Sequence, residues 1–144
     1  MFSHVTVGVS DLDRAGRFYD GLLAPLGLVQ RRVTPDGGPQ ALCWHDPAQA
    51  LPLFYAYTPL DGERSTCGNG SMVAFLADSP DCVVLAYDEA LRCGGTDDGA
   101  PGPRPRYGPA YFGAYVRDPD GNKLHVVCRT EQAAAPTGRR DRPA

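Results

Sequence analysis

Three histidines carry most of the acid–base and metal-binding potential of this sequence: His4, His45 and His125. Imidazole changes charge near neutral pH and is also the commonest metal ligand, so the direction each one points decides its use. His125 lies in the stretch YFGAYVRDPDGNKLHVVCR, Tyr111–Arg129. Tyr111 to Arg117 is aromatic and β-branched with small residues between, which suits a strand. Asp118-Pro119-Asp120-Gly121 is a turn: Pro119 presets φ, and Gly121 supplies a positive φ. Lys123 to Arg129 is the return strand. Alternation puts Leu124 and Val126 on one face and His125 and Val127 on the other, so this hairpin holds an imidazole off the apolar core. His4 stands in a similar position. Val5, Val7 and Val9 share one face of Ser3–Ser10, and His4, Thr6 and Gly8 share the other. His45, at a strand end beside Asp46, reads as solvated.

The other candidate chemistry is excluded more easily. Cys43, Cys67, Cys82, Cys93 and Cys128 form an odd, scattered set with no CxxC pair. That usage fits reduced thiols acting as small apolar residues in a cytoplasmic protein. With Lys and Arg totalling 14 against 17 Asp and Glu, the chain is mildly acidic and has no basic stripe, so no nucleic-acid role is expected. No apolar run is long enough to span a membrane, and MFSHVTVGVSD reads directly as a strand rather than a signal peptide.

The elements that position these residues follow in order. After the first strand, Ser10 or Asp11 caps a helix whose buried stripe is Leu12, Ala15, Tyr19, Leu22, Leu23 and Leu26, ended by Pro25 and Gly27. Leu28–Thr34, Gln40–His45 and Leu51–Thr58 read as three further strands. Residues 59–70 are polar and glycine-containing and read as a linker. Ser71–Ala77 is the next strand. Ser79 and Pro80 open a second helix with the stripe Val83, Val84, Tyr87, Ala90 and Leu91, closed by Gly94-Gly95. Thr96–Pro109 is rich in proline and glycine, so its strand is expected to be short or irregular. The hairpin described above comes last. Residues 131–144 lack apolar patterning and are expected to be disordered.

The chain also repeats itself. An offset of 68 places His4-Val5 on Met72-Val73, Tyr19 on Tyr87 and Gly27 on Gly95. A further four-residue adjustment places Asp46-Pro47 on Asp118-Pro119, and so Leu53 opposite His125. The expected architecture is α+β: two βαβββ modules, about 1–58 and 71–130, in one domain of residues 1–130. Each half is too small to be stable alone, so the two are expected to share a core.

Two βαβββ modules, opening with HVTVGVSDLDRAGRFYDGLLAPLGL and closing with VRDPDGNKLHVVC, resemble the vicinal-oxygen-chelate superfamily. That group includes glyoxalase I, extradiol dioxygenases, fosfomycin-modifying thiol transferases and bleomycin-resistance proteins. The resemblance covers about residues 2–130 and implies a half-open mixed β-barrel with helices outside. It also implies a site. In metal-dependent members the ligands come from the first and last strands of each module, which here means His4, Leu53, Met72 and His125. His4 matches that pattern, His125 stands where the family usually has Glu, Met72 stands where it usually has His, and Leu53 cannot ligate.

The expected function is therefore a small-molecule binder with no metal, or with a weakly bound divalent one (Zn, Ni, Fe or Mn) on His4 and His125. The alternative is a metal-dependent lyase or dioxygenase with those two residues as the catalytic pair, since such chemistry uses the metal as a Lewis acid. Face parity gives the binding wall as Thr6, Leu53, Tyr55, Met72, Tyr111 and Tyr115, with Tyr57 beside them. Parity together with the site geometry that the resemblance implies puts His4 and His125 on one cavity. Arg104, Arg106 and Tyr107 lie in the proline-rich loop, at the mouth, where they could attract an anion. A homodimer is expected, because small modules leave edge strands and apolar surface uncovered.

Overall fold

The computed structural model describes residues 1–130; the expectation for the tail lies outside them. The first module runs β1 (His4–Gly8), α1 (Leu12–Leu23), a single 3-10 turn (Ala24–Leu26), β2 (Val29–Arg31), β3 (Ala41–His45) and β4 (Leu53–Tyr57). The second runs β5 (Val73–Leu76), α2 (Pro80–Arg92), β6 (Thr96–Pro103), a 3-10 turn (Pro105–Tyr107), β7 (Phe112–Arg117) and β8 (Lys123–Cys128). Each module forms a four-stranded mixed sheet of identical order, β1-β4-β3-β2 and β5-β8-β7-β6. The pairs β1–β4 and β5–β8 are parallel and the rest antiparallel. The fold is α+β, and the two sheets do not close on each other.

Local chemistry explains the boundaries. The Asp11 carboxylate accepts from the Arg14 backbone N–H, and Ser79 does the same for Cys82, so both helices begin on a capping side chain. Gly27 ends the first helical segment at φ 77°, a conformation that costs glycine no Cβ clash. The helices bury one stripe each. In α1 the stripe includes Phe18 as well as Ala15, Tyr19, Leu22 and Leu23. In α2 it is Val83, Ala86 and Ala90; Val84, expected inside, is exposed.

One core joins the modules. Val9, Trp44, Phe54, Phe75, Ala114, Val116, Leu124 and Val126 belong to it with the helix stripes. Phe54 of the first module meets Phe75 of the second edge to face, with ring centroids 5.1 Å apart. Trp44 satisfies its indole N–H on Asp20 at 2.9 Å. These residues lie on the sheet faces turned toward the helices, which leaves the opposite face of each sheet to His4, Thr6 and His125.

The strand in the proline- and glycine-rich segment is irregular, one of its two expected forms, with register shifts between Asp97, Gly99 and Gly102, and it spans eight residues. One expectation changes: the repeat is offset differently near its end. Val9 N–H donates to Tyr57 O, and Ala77 N–H donates to Val127 O. Thr6 pairs with Tyr55, and Ala74 with His125. The residue equivalent to His125 is therefore Tyr55, not Leu53.

Candidate functional site

The open face of the second sheet centres on His125, which is 1% exposed. Its strand neighbour Tyr115 stacks on one side of the imidazole, with centroids 4.1 Å apart and planes 10° apart. Tyr111 lies on the other side, at 5.8 Å and 17°. Both ring nitrogens are used. Nδ1 lies 2.8 Å from Ala114 O, and a carbonyl only accepts, so Nδ1 carries the proton. Nε2 then accepts from the Tyr111 hydroxyl at 2.8 Å. Gly113 makes room for the ring: a Cβ there would come within 2.5 Å of His125 Cε1. Burial, with Arg104, Arg129 and Lys123 nearby, holds the imidazole below its ordinary pKa despite the opposing bond to Ala114 O, so it stays neutral.

The first module presents a different surface. A cavity of about 550 Å3 is lined by His4, Thr6, Tyr55, Tyr57, Arg31 and Arg32, among others. Register brings the first four together: Thr6 lies beside Tyr55 and Gly8 beside Tyr57, all on the face of His4. His4 is exposed, with its ring edge-on to Tyr55 at 5.8 Å. Every residue lining this cavity falls between 4 and 60. His4 and His125 thus stand on the open faces of separate sheets, each among tyrosines, and the first cavity includes only His4.

The remaining expected residues are spread out. Tyr111 and Tyr115 join His125, and Thr6 and Tyr55 join His4. Leu53 is paired with His4 on β1–β4 but does not line the cavity. Met72 precedes β5, is 47% exposed and borders a separate hollow with Arg117 and Lys123. His45 ends β3. Sequence reading missed Arg31 and Arg32, the last residue of a three-residue strand and the one after it, and Arg129, whose guanidinium stands over the Tyr111 ring at 5.2 Å. For Arg129 the signal was present: it continues the alternation of β8 past Val127, toward the tyrosine face.

Two βαβββ modules with matching sheet orders, a shared core and open outer faces define the paired-module class to which the resemblance pointed. The chain belongs to the Glyoxalase/Bleomycin resistance protein/Dioxygenase superfamily, whose family model matches residues 1–126. It is similar to a glyoxalase/bleomycin resistance protein from Albidiferax ferrireducens, with 37% identity over 90% of this chain and 99% of that one, at a TM-score of 0.75. A glyoxalase-related enzyme from Fulvimarina pelagi shares 17% identity over 89% and 87%, at 0.66. A lactoylglutathione lyase from Agrobacterium tumefaciens shares 20% over 89% and 92%, at 0.60. The last two likenesses are evidence of fold alone. No curated protein gives a significant match.

Superfamily members often hold a divalent metal, and the donors here do not fit one. His125 spends both nitrogens on Ala114 and Tyr111. Its repeat partner is a tyrosine, and Met72 offers a thioether, a poor ligand for Zn, Ni, Fe or Mn. Among the described residues no group of three His, Cys, Asp or Glu converges on a point. No helix of the described residues is long and apolar enough to cross a membrane.

Proposed function

We propose that this protein binds a small organic molecule on the tyrosine-lined open faces of its sheets, without a resident metal. The observation that supports this is the first-module cavity. At about 550 Å3 it has the size of ordinary small-molecule sites, and its wall combines the rings of His4, Tyr55 and Tyr57 with the polar and charged side chains of Thr6, Arg31, Arg32 and Asp36. On the second sheet the Tyr111–His125–Tyr115 stack is held by hydrogen bonds at both imidazole nitrogens, so it presents a rigid surface rather than an empty coordination position. A second copy of the chain completes the arrangement in this reading. On β5, Ala74 and Leu76 face the same side as His125, and Leu76 is 72% exposed on an edge strand.

Thermal-shift screening with small aromatic compounds and with Zn, Ni, Fe and Mn salts tests the proposal. Aromatic compounds are expected to raise the melting temperature, and Tyr55→Ala with Tyr57→Ala to abolish the rise. Stabilisation by a metal alone, with no response to any organic compound, would refute it.

A further inference from the structure

A second cavity, of about 360 Å3, lies beside the His125 stack and is lined by Tyr107, Gly108, Pro109, Ala110, Tyr111 and Arg129. It is built by the loop before β7 and the chain just beyond β8. The Tyr107 and Tyr111 rings, 5.1 Å apart and inclined at 49°, form a corner. Each carries a guanidinium: Arg106 lies 4.8 Å from the Tyr107 centroid and Arg129 lies 5.2 Å from that of Tyr111. Arg104 stands 5.9 Å from Tyr115, anchored to Ala100 O at 2.9 Å.

The charge around this corner is one-sided. The acidic side chains of this module that form ion pairs are Asp98, which takes Arg117 and Lys123, Glu89, which takes Arg92, and Asp120, which takes Arg14 of the first module. Among the described residues no carboxylate pairs with Arg104, Arg106 or Arg129. An arginine resting on an aromatic face keeps its in-plane N–H groups free, and these form a fork that matches a carboxylate. The Tyr111 ring is fixed as well, since its hydroxyl is engaged by His125. A ligand meeting that ring therefore needs little further ordering of the protein.

We infer that this cavity takes a small aromatic carboxylic acid, its ring in the Tyr107–Tyr111 corner and its carboxylate on Arg129. The volume suits a single ring, and one lining guanidinium matches one negative charge. The inference rests on the proposed reading of the open faces as ligand surfaces and adds the charge of the ligand and the place of its acid group.

Calorimetric titration of the full chain with benzoate, and with benzamide as its neutral isostere, tests this. Benzoate is expected to bind about tenfold more tightly than benzamide, and to weaken as salt is raised. Arg129→Gln should abolish the preference, while Arg129→Lys should keep part of it because the charge remains. Arg129 is exposed, so both variants are expected to melt with the parent. Equal binding of benzoate and benzamide, unchanged benzoate binding in Arg129→Gln, or no benzoate binding at about 10 mM overturns the inference. His4→Ala separates the two sites. Benzoate binding lost there and kept in Arg129→Gln would put the ligand in the first-module cavity, ending this inference and leaving the proposed function intact. Failure of the whole aromatic screen ends both.

Discussion

His125 is buried, neutral and flanked by cations, and this gives it a measurable pH signature. Its folded pKa is depressed, while unfolded imidazole titrates near the ordinary 6.5. Between those values the unfolded chain binds a proton that the folded chain refuses. Its contribution to stability is therefore fully present above about pH 6.5 and is lost as pH falls toward the folded pKa. His125→Gln removes that proton uptake. Denaturant unfolding at about pH 7 and about pH 5 should show the parent losing more stability than the variant; equal losses would contradict the assignment. Strand alternation alone revealed that His125 and His4 leave the core. It did not reveal Tyr55 as the repeat equivalent of His125, because the Asp-Pro dipeptides at 46 and 118 invite an alignment that the structure does not follow. The loop 46–52 is two residues longer than the loop 118–122, and the strands, not the turns, keep the repeat in step.

Among the elements, the β7–β8 turn does more than reverse the chain. Asp118 Oδ1 accepts from the backbone of Asp120 at 2.9 Å and of Asn122 at 2.8 Å, and Gly121 closes the turn at φ 89°. Asp118 Oδ2 takes the Tyr19 hydroxyl from α1 at 2.7 Å, and Asn122 Nδ2 reaches Gly8 O at 2.9 Å. Asp120 receives Ser10 and Arg14 at the start of the same helix. Burial and Asp118 push the Tyr19 phenol well above its ordinary pKa, so it remains a donor. Tyr19→Phe removes a buried bond to a carboxylate and should cost about 1.5–3 kcal/mol, read from denaturant midpoints at constant slope. Asp118→Ala should cost more, because it strands several donors at once. The turn itself was legible from proline, aspartate and glycine chemistry. Its docking onto α1 was not, since Tyr19 looked like any apolar stripe residue. Val84 was misplaced for a related reason: α2 buries the narrow stripe Val83, Ala86 and Ala90, and periodicity weighs an alanine such as Ala86 less than a valine.

At the scale of the whole molecule, two half-sized modules share one core, and that core faces the helices rather than the open faces of the sheets. The exposed edge strand β5, with Leu76 and Ala74 outward, leaves apolar surface next to the His125 stack. Sedimentation at micromolar concentration is expected to give the mass of a dimer, and Leu76→Lys to shift it toward the monomer. A parent protein that sediments only as the monomer would exclude the second copy from the site. The fold was legible at this scale because matching element orders are a coarse signal. That the first cavity would be lined by residues of the first module alone was not, because strand parity says which face a side chain takes and not which face it lies opposite.

The contacts between Tyr19 and Asp118, and between Gly8 and Asn122, span 99 and 114 residues of chain. A ribosome makes the first helix long before it makes the turn that holds that helix in place. Loop closure over such distances comes late in folding, so the first module leaves the exit tunnel with the α1 contacts to the β7–β8 turn unmade and Phe54 without its partner Phe75. Arrested nascent chains released up to residue 117 should be cut readily by protease within residues 1–57, whereas chains extended through residue 130 should resist. For this protein the β7–β8 hairpin, made some hundred residues after α1, is what completes the first helix, and release of the chain before that hairpin forfeits both modules together.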